Sequence, residues 1–369
     1  MDASMDPAEF LLEEAPVRAG GALLLMEGGS GRLAARFAIT CPEILCQNSE
    51  VRNHVLAVEA LAELNLPPSR CLLGDIPRAV SGTGPSAPWP DALEFPEGHF
   101  DQILYRLGKG TAALHGAICE AWKLLREGGS LFLAGHTREG IKSVSKRAES
   151  HFGNIELLVL KSSCRLLHYR KRGSSPVEPI PEPAYFHPVP LSLELPGLGS
   201  MPYVSKPGLF SYRSTDPGTS LLAERIPALE GLRVLDLCCG SGVLSLAAFR
   251  RGAKDVLAMD SNAIAVSVTR KNFADAQVPG RALCSNLTES VDGLFDVILC
   301  NPPFHQGSET DFSFPDRILD AAAACLNPGG LLFLVANQFL DYTAKAKNRF
   351  SSSVILIQDK GFRVYRMVR

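Results

Sequence analysis

Apolar runs and stretches of helical periodicity alternate along the second half of the chain. The apolar runs predict five strands, over 233–238, 254–260, 282–285, 295–300 and 331–336. The stretches between them predict three helices, over 243–251, 262–275 and 316–325. Two further runs, 354–358 and 362–368, predict a terminal antiparallel hairpin. This order predicts an α/β fold with a doubly wound, mostly parallel, Rossmann-like sheet and the hairpin at its edge.

Three segments of the first half repeat features of the second half. Residues 69–75 resemble a first strand and its turn, although this turn, Gly74-Asp75, contains no G-x-G. Residues 100–105 parallel 295–300, and residues 122–133 parallel 324–334. An internal repeat on this scale predicts two tandem domains that arose by duplication.

Proline and glycine are concentrated between residues 173 and 207, where they prevent a continuous helix or a central strand. A length of 369 residues, at roughly 150 residues per domain, also indicates about two domains. We therefore expect one domain over 1–172, a connection over 173–207 and a second domain over 208–369.

The formal net charge is −2, which excludes a polybasic tail or an acidic disordered chain as the main character of the protein. No run approaches the ~18 consecutive apolar residues of a membrane span, and the acidic N-terminus lacks the layout of a signal peptide. We expect a soluble cytoplasmic protein with no membrane partner. Its 10 cysteines are scattered without a C-x-x-C pair, which favours reduced thiols and no metal site.

A glycine-rich turn, Asp236-Leu-Cys-Cys-Gly240-Ser-Gly242, follows the first strand of the second half and opens a helix. Glycines allow a ligand to approach the backbone closely, and the helix N-terminus offers free N–H groups. Asp260 ends the next strand 20 residues after Gly240, where an acid can hold ribose hydroxyls. Ser245 replaces the third glycine of a dinucleotide site, and Asp236 would repel a pyrophosphate but suit an ammonium group. The layout favours S-adenosylmethionine over NAD, although Asp236 is also a candidate helix cap.

Further candidates for the cofactor site lie around this turn. Cys238 is part of the turn, and Ser261 follows the strand that ends at Asp260. Asn286 follows the third strand and is placed to bond the adenine edge, with a polar turn residue as the alternative. Upstream, Phe210 and Thr219 belong to a segment expected either to cover the cofactor or to serve only as linker packing.

The motif Asn301-Pro302-Pro-Phe304 directly follows the fourth strand, at the edge of the sheet where such folds bind ligands. The carboxamide oxygen of Asn301 and the carbonyl of Pro302 can accept both N–H groups of an exocyclic amine and aim its lone pair at a methyl donor. Phe304 can stack on a planar base. A loop stop with a core phenylalanine is the alternative. His305 is expected to contact solvent or substrate rather than to act as a catalytic acid or base.

Residues 206–369 resemble class I methyltransferases that depend on S-adenosylmethionine, and most closely the bacterial 16S rRNA guanine-N2 methyltransferases of the small-subunit methyltransferase C type. The glycine turn, Ser285-Asn286, Asn301-Pro-Pro-Phe-His and Val335-Ala-Asn-Gln-Phe-Leu carry this resemblance. It implies methyl transfer from S-adenosylmethionine to a guanine of ribosomal RNA, with the small ribosomal subunit as partner. It also implies a first, degenerate domain without catalysis, which serves substrate binding or stability. Residues 311–315 depart from the family pattern beside the expected base pocket.

Other functions remain open at this point. Adenine N6, 23S rRNA guanine N2 and protein glutamine are alternative methyl acceptors, and a non-catalytic RNA-binding assembly factor is an alternative from another class. The oligomeric state is open, with a monomer favoured. Basic residues of the first half could bind RNA phosphates or form a solvated face: Lys142, Lys146, Arg147, Arg165, Arg170, Lys171 and Arg172.

Overall fold

The computed structural model describes residues 6–80, 89–108, 110–180, 184–289, 291–303 and 313–369. Its internal contacts divide the chain into two compact units, unit 1 (Met1–His187) and unit 2 (Pro188–Arg369). In the described ranges no helix is long and apolar enough to cross a membrane.

Unit 1 is built around a seven-stranded sheet. Its helices are α1 (Pro7–Leu12), α2 (Arg32–Ala38), α3 (Val51–Ala62), α4 (Thr111–Leu124) and α5 (Ile141–Phe152). Its strands are β1 (Ala22–Met26), β2 (Glu43–Asn48), β3 (Cys71–Leu73), β4 (Arg78–Val80), β5 (Glu94–Pro96), β6 (Phe100–Arg106), β7 (Leu125–His136), β8 (Glu156–Lys161) and β9 (Cys164–Arg170). The main sheet has the order β3-β2-β1-β6-β7-β9-β8, and β4 pairs with β5 separately.

Unit 2 repeats this plan. Its helices are α6 (Pro217–Ala223), α7 (Val243–Arg250), α8 (Ala263–Asp275), α9 (Phe314–Cys325) and α10 (Tyr342–Ala346). Its strands are β10 (Val189–Leu195), β11 (Gly199–Ser205), β12 (Arg233–Leu237), β13 (Asp255–Asp260), β14 (Arg281–Cys284), β15 (Phe295–Cys300), β16 (Leu326–Asn337), β17 (Ser352–Asp359) and β18 (Phe362–Val368). The sheet order is β14-β13-β12-β15-β16-β18-β17, with β18 antiparallel to both of its neighbours.

The middle strands of unit 2 are buried because apolar layers cover both faces of the sheet. Val234 and Val297 belong to the core on one face, whereas Leu235 and Ile298 belong to the core on the other. Successive residues of a strand point to opposite faces, so a strand buried on both sides becomes a continuous apolar run. The predicted α/β fold with a mostly parallel sheet and a terminal antiparallel hairpin is therefore confirmed.

The expected connection contains ordered structure that belongs to unit 2. Strands β10 and β11 form an antiparallel hairpin, and Leu193, Leu195, Met201 and Tyr203 contribute to a core of unit 2. The prolines of this hairpin cause no conflict because a two-stranded ribbon has edges where a missing N–H costs little. The units therefore divide at 187/188, within the segment 173–207.

The two sheets also share their irregularities. The register shifts between Phe100 and Gln102 where β6 pairs with β7, and between Phe295 and Val297 where β15 pairs with β16. The β8–β9 and β17–β18 pairs each carry a shift as well. Two unrelated sheets have no reason to share both the strand order and these shifts, so the structure supports a duplication.

One expectation about the repeat is wrong. Residues 69–75 resemble a first strand and its turn in sequence, but Cys71–Leu73 is β3, the outer strand that corresponds to β14. The first strand of unit 1 is β1, and the turn after it is Glu27-Gly28-Gly29-Ser30-Gly31. This turn does contain a G-x-G. The comparison failed because both segments are short apolar runs followed by glycine, a pattern that does not distinguish one strand of a sheet from another.

Candidate active site

The glycine turn of unit 2 lies between β12 and α7 and has a left-handed backbone. Cys238, Gly240 and Gly242 have φ angles of 64°, 56° and 75°. A Cβ added at Gly242 would lie 2.8 Å from Cγ2 of Thr269, so a side chain there would collide with α8. A Cβ added at Gly240 would meet no atom within 4 Å in the part of the chain that the structure describes. The turn therefore packs closely against α8 at Gly242 and opens onto free space at Gly240.

Asp236 lies beneath this turn with no solvent exposure. Its Oδ2 accepts hydrogen bonds from the backbone N–H of Ser245 at 2.9 Å and from the Ser245 hydroxyl at 2.6 Å. Its buried Oδ1 accepts none from the described residues. Burial raises the pKa of the Asp236 carboxyl to about 7, against the opposing effect of Ser245. Asp236 thus holds the first turn of α7, as the helix-cap alternative expected, and retains one acceptor atom.

Asp260 ends β13 and its carboxylate supports two turns. Oδ2 accepts a hydrogen bond from the N–H of Gly240 at 2.9 Å, and Oδ1 accepts one from the N–H of Asn262 at 3.0 Å. Asn262 caps α8 by accepting from the N–H of Ile264. Ser261, between them, is half-buried. The carboxylate therefore lies beside Gly240, at the open part of the turn.

Cys238 and Cys300 are neighbouring thiols at the ends of β12 and β15. The interaction with Cys300 and burial raise the pKa of the Cys238 thiol well above its usual range. The thiol is therefore neutral near pH 7 and is a poor nucleophile. If Cys238 contacts the cofactor as predicted, it does so as an uncharged side chain that packs against the ligand. No group of three or more metal-ligating side chains occurs among the described residues.

Asn301 directly follows β15, and its side chain is held from one side only. The amide Nδ2 donates to Oδ2 of Asp216 at 3.0 Å and to Oγ1 of Thr219 at 2.8 Å. The amide Oδ1 is buried and accepts no hydrogen bond from any described residue. A buried acceptor with no donor costs about 1–3 kcal/mol, and Oδ1 has none among the described residues, so it is a candidate acceptor for a ligand. Pro302, next in the chain, is buried.

Asp216 is a site residue that sequence reasoning missed. It caps α6, accepts the N–H of Thr219 at 2.8 Å and is 7% exposed. The dipeptide Asp216-Pro217 is a recognisable helix start, since Asp favours the cap and proline the first turn. That pattern indicates a helix but no contact with Asn301, which is 85 residues away.

The other predicted site residues are less closely grouped. Asn286 is half-buried after β14, and its Nδ2 donates to Oε1 of Glu289 at 2.7 Å. Thr219 uses its hydroxyl for Asp216 and Asn301. Phe210 is 68% exposed, so its ring is not part of a core of unit 2. Phe304 and the neighbouring His305 lie outside the described residues.

The basic segment of unit 1 is only partly available for binding. Lys171 is buried, and its Nζ donates to the backbone carbonyls of Trp122 and Leu125 at 2.9 and 2.7 Å. Burial lowers the pKa of this amine. Lys171 therefore supports the end of α4 and cannot reach a phosphate, contrary to expectation. Four of the other basic residues are exposed: Lys142, Lys146, Arg170 and Arg172.

Comparison with known proteins gives this geometry a family. Residues 200–366 match the family model described as Methyltransferase small domain. The ribosomal RNA small subunit methyltransferase C of Pseudomonas aeruginosa (strain LESB58) is 35% identical over 240 residues, which cover 64% of this chain and 70% of that protein. The chain belongs to the ribosomal RNA small subunit methyltransferase C family. The enzyme of the same name from Chromohalobacter salexigens is also 35% identical, over 69% of this chain and 73% of its own length.

A solved structure extends this family likeness over both units. The T. thermophilus 16S rRNA N2 G1207 methyltransferase, determined in complex with AdoMet and guanosine, is 26% identical and superposes with a TM-score of 0.79. The match covers 100% of this chain and 93% of that chain. The family therefore accounts for the two-unit plan as well as for the methyltransferase fold of unit 2.

Proposed function

We propose that the chain transfers a methyl group from S-adenosylmethionine to the N2 amine of a guanine in 16S ribosomal RNA. The observation that carries this proposal is the side chain of Asn301, whose nitrogen is held in place and whose buried Oδ1 accepts no hydrogen bond from the described residues. Membership of the methyltransferase C family supports the reaction. The related structure with AdoMet and guanosine supports the same pair of ligands.

The glycine turn fits S-adenosylmethionine. Free space lies beside Gly240, the N–H groups at the start of α7 face this edge, and Asp260 offers a carboxylate to ribose hydroxyls. The remaining Oδ1 acceptor of Asp236 suits a cationic donor. Once bound, S-adenosylmethionine supplies an electrophilic methyl group. The remaining proposed cofactor residues are Gly242, Phe210, Thr219, Cys238, Ser261 and Asn286.

Asn301 and Pro302 are proposed to orient the acceptor amine. The lone pair of an exocyclic amine is delocalised into the guanine ring. The nitrogen is therefore a weak nucleophile as long as its NH2 group is coplanar with the base. Two acceptors, Oδ1 of Asn301 and the carbonyl of Pro302, would hold both N–H groups and direct the lone pair out of that plane at the methyl carbon. The methylated nitrogen is cationic and releases its proton readily, so no strong base is required. Phe304 is proposed to stack on the base.

Unit 1 is proposed to act as a degenerate copy that binds substrate or stabilises the protein. Its exposed basic residues Lys142, Lys146, Arg170 and Arg172 are candidates for contact with RNA phosphates. We expect the enzyme to work in the cytoplasm, where ribosomes are assembled, and as a monomer.

The proposal is tested by methyl transfer from labelled S-adenosylmethionine to small ribosomal subunits taken from cells that lack this enzyme. The labelled RNA is digested to nucleosides and separated by mass. We expect the label in N2-methylguanosine of 16S rRNA. Release factors and large subunits are assayed in parallel, and label in a glutamine, in an adenine or in 23S rRNA alone would overturn the proposed acceptor.

A further inference from the structure

The amide nitrogen of Asn301 faces two oxygen atoms of α6 and its cap. Oδ2 of Asp216 lies 3.0 Å away and Oγ1 of Thr219 lies 2.8 Å away. An amide NH2 group has two protons, so both can be used at once. The nitrogen side of the amide is therefore fully occupied by these two residues, whereas the oxygen side has no described partner.

The directions of the hydrogen bonds around Thr219 favour one orientation of the Asn301 amide over the flipped one. The Thr219 hydroxyl donates its single proton to Oδ2 of Asp216 at 3.2 Å, so its oxygen can only accept from Asn301. Oδ2 of the carboxylate is an acceptor as well, and it also takes the N–H of Thr219 at 2.8 Å. A flipped amide would place Oδ1 against the carboxylate Oδ2, which can only accept, and would require the Thr219 hydroxyl to turn away from Asp216. The pair thus permits one orientation of the Asn301 amide and opposes the other.

The surroundings shield the Asp216 side of this contact, whereas Thr219 and Asn301 are half-buried. Asp216 is buried, and a Cβ added at Gly218 would lie 3.0 Å from Oδ2 of Asp216 and 3.0 Å from Cδ1 of Phe362. A larger residue at position 218 would therefore displace the carboxylate. Because the carboxylate of Asp216 is buried, water is a poor substitute for it as an acceptor, and the orientation of the amide depends on this side chain.

We propose that Asp216 and Thr219 are positioning residues, which hold the amide of Asn301 so that its Oδ1 faces the amine to be methylated. The inference rests on the proposed function and adds the two residues that make Asn301 an acceptor rather than a donor at the reacting nitrogen. A donor there would compete for the lone pair that must attack the methyl carbon.

The first test measures single-turnover methyl transfer at saturating cofactor. Thr219→Val removes the hydroxyl but keeps the shape, and Asp216→Ala removes the carboxylate that accepts from Asn301. We expect each to lower kcat by about 10- to 100-fold, as loss of a partner that orients a functional side chain does elsewhere, with little change in KM for the RNA. Thr219→Ser should restore most of the rate. Ser220→Ala is the matched control, because it removes a hydroxyl from the same helix that donates to the Asp216 carbonyl.

A double-mutant cycle separates positioning from general damage. If Asp216 and Thr219 act through Asn301, Asp216→Ala and Thr219→Val should add nothing to the loss caused by Asn301→Ala. An equal, additive loss in the Asn301→Ala background would overturn the inference, and so would full activity of both single variants.

A reading independent of activity comes from the side-chain NH2 signals of Asn301 in the NMR spectrum of the full chain. We expect both protons to be shifted and slow to exchange in the wild type, and one of them to lose this protection in Thr219→Val. Unchanged signals would overturn the inference even if the wild type proved to methylate another acceptor. If the NMR signals are as expected but no N2-methylguanosine is formed, the proposed function is wrong, whereas the positioning of the Asn301 amide stands.

Discussion

The two units share a strand order but differ at the edge where the parallel strands end. In unit 1, the carboxylate of Glu9 from α1 accepts the N–H of Ser30 at 3.2 Å and the Ser30 hydroxyl at 2.7 Å, on the turn after β1. A Cβ added at Gly29 would lie 2.6 Å from Oε2 of Glu9. A Cβ added at the matching Gly240 of unit 2 would meet no atom of the described residues within 4 Å. In unit 1, the carboxylate of Glu9 therefore occupies the space beside the glycine turn, whereas the corresponding space in unit 2 is open.

The positions beside the glycine turn can be compared between the units in the same way. Asn48 ends β2 and accepts the N–H of Gly29 at 3.0 Å, as Asp260 does for Gly240 in unit 2. Arg106 ends β6, in the place that Asn301 takes after β15, and it forms an ion pair with Asp6, the cap of α1. Unit 1 thus retains the supports of the turn and loses the groups proposed for ribose and amine. Two domains can therefore share a fold without sharing the side chains that a function requires.

The largest effect is expected for Asn301→Ala. It removes the acceptor proposed for the guanine amine and should lower the rate of methyl transfer on the order of 100-fold, as loss of one aligned polar group does at other active sites. The dissociation constant of S-adenosylmethionine should stay near the wild-type value. Single-turnover kinetics and calorimetry give the two readings. Asn327→Ala is the control, since its amide bonds Asp296 within the same sheet. Loss of cofactor binding without loss of rate would make the motif a cofactor loop.

Asp260→Ala is expected to weaken cofactor binding by about 10- to 100-fold, because charge-assisted bonds to the ribose hydroxyls are worth roughly 1.5–3 kcal/mol. Calorimetry on the full chain checks this. Asn48→Ala, the matched change in unit 1, should leave the affinity unchanged and the stoichiometry at one. A second binding event, or a loss of affinity in Asn48→Ala, would mean that unit 1 also binds the cofactor.

Glu9→Ala should destabilise the protein without affecting methyl transfer. It leaves the N–H and hydroxyl of Ser30 without their buried acceptor, at a cost of about 1–3 kcal/mol. Urea unfolding measures the difference. Glu13→Ala serves as comparison, because its ion pair with Arg32 at 2.8 Å lies near the surface and should contribute less than about 1 kcal/mol. Equal losses in the two variants would show that Glu9 does not support the turn.

The smallest effect concerns the pH dependence of stability through Asp236. Its pKa is raised to about 7 in the folded protein, so the folded state holds its proton more tightly than the unfolded state does. This contribution is complete below about pH 4 and is lost as the pH rises through about 7. Asp236→Asn keeps an oxygen for Ser245 without the titration. Its stability relative to the wild type should therefore be higher at pH 8 than at pH 5, and an equal difference at both values would reject the raised pKa.

Much of unit 2 was predictable because its signals are local. The run 295–300 is apolar and ends at a proline motif, and the turn at Gly240 and Gly242 separates an apolar strand from a helix. The structure has the strand and the turn at these positions. The contacts that complete the site are not local. Asp216 reaches Asn301 across 85 residues, and Glu9 reaches Ser30 across 21, with no periodicity or spacing to indicate either. Lys171 illustrates the same limit, since its charge predicts exposure and only the fold buries it.

Nucleoside analysis of 16S rRNA from cells that lack this enzyme and carry one variant at a time tests the contrast between the units most directly. The wild type and Arg106→Ala, changed at the matched position of unit 1, are predicted to restore N2-methylguanosine. Asn301→Ala is predicted to restore only a small fraction of it at equal protein level. Full restoration by Asn301→Ala, or its loss in a folded Arg106→Ala protein, would contradict the assignment of methyl transfer to unit 2 alone.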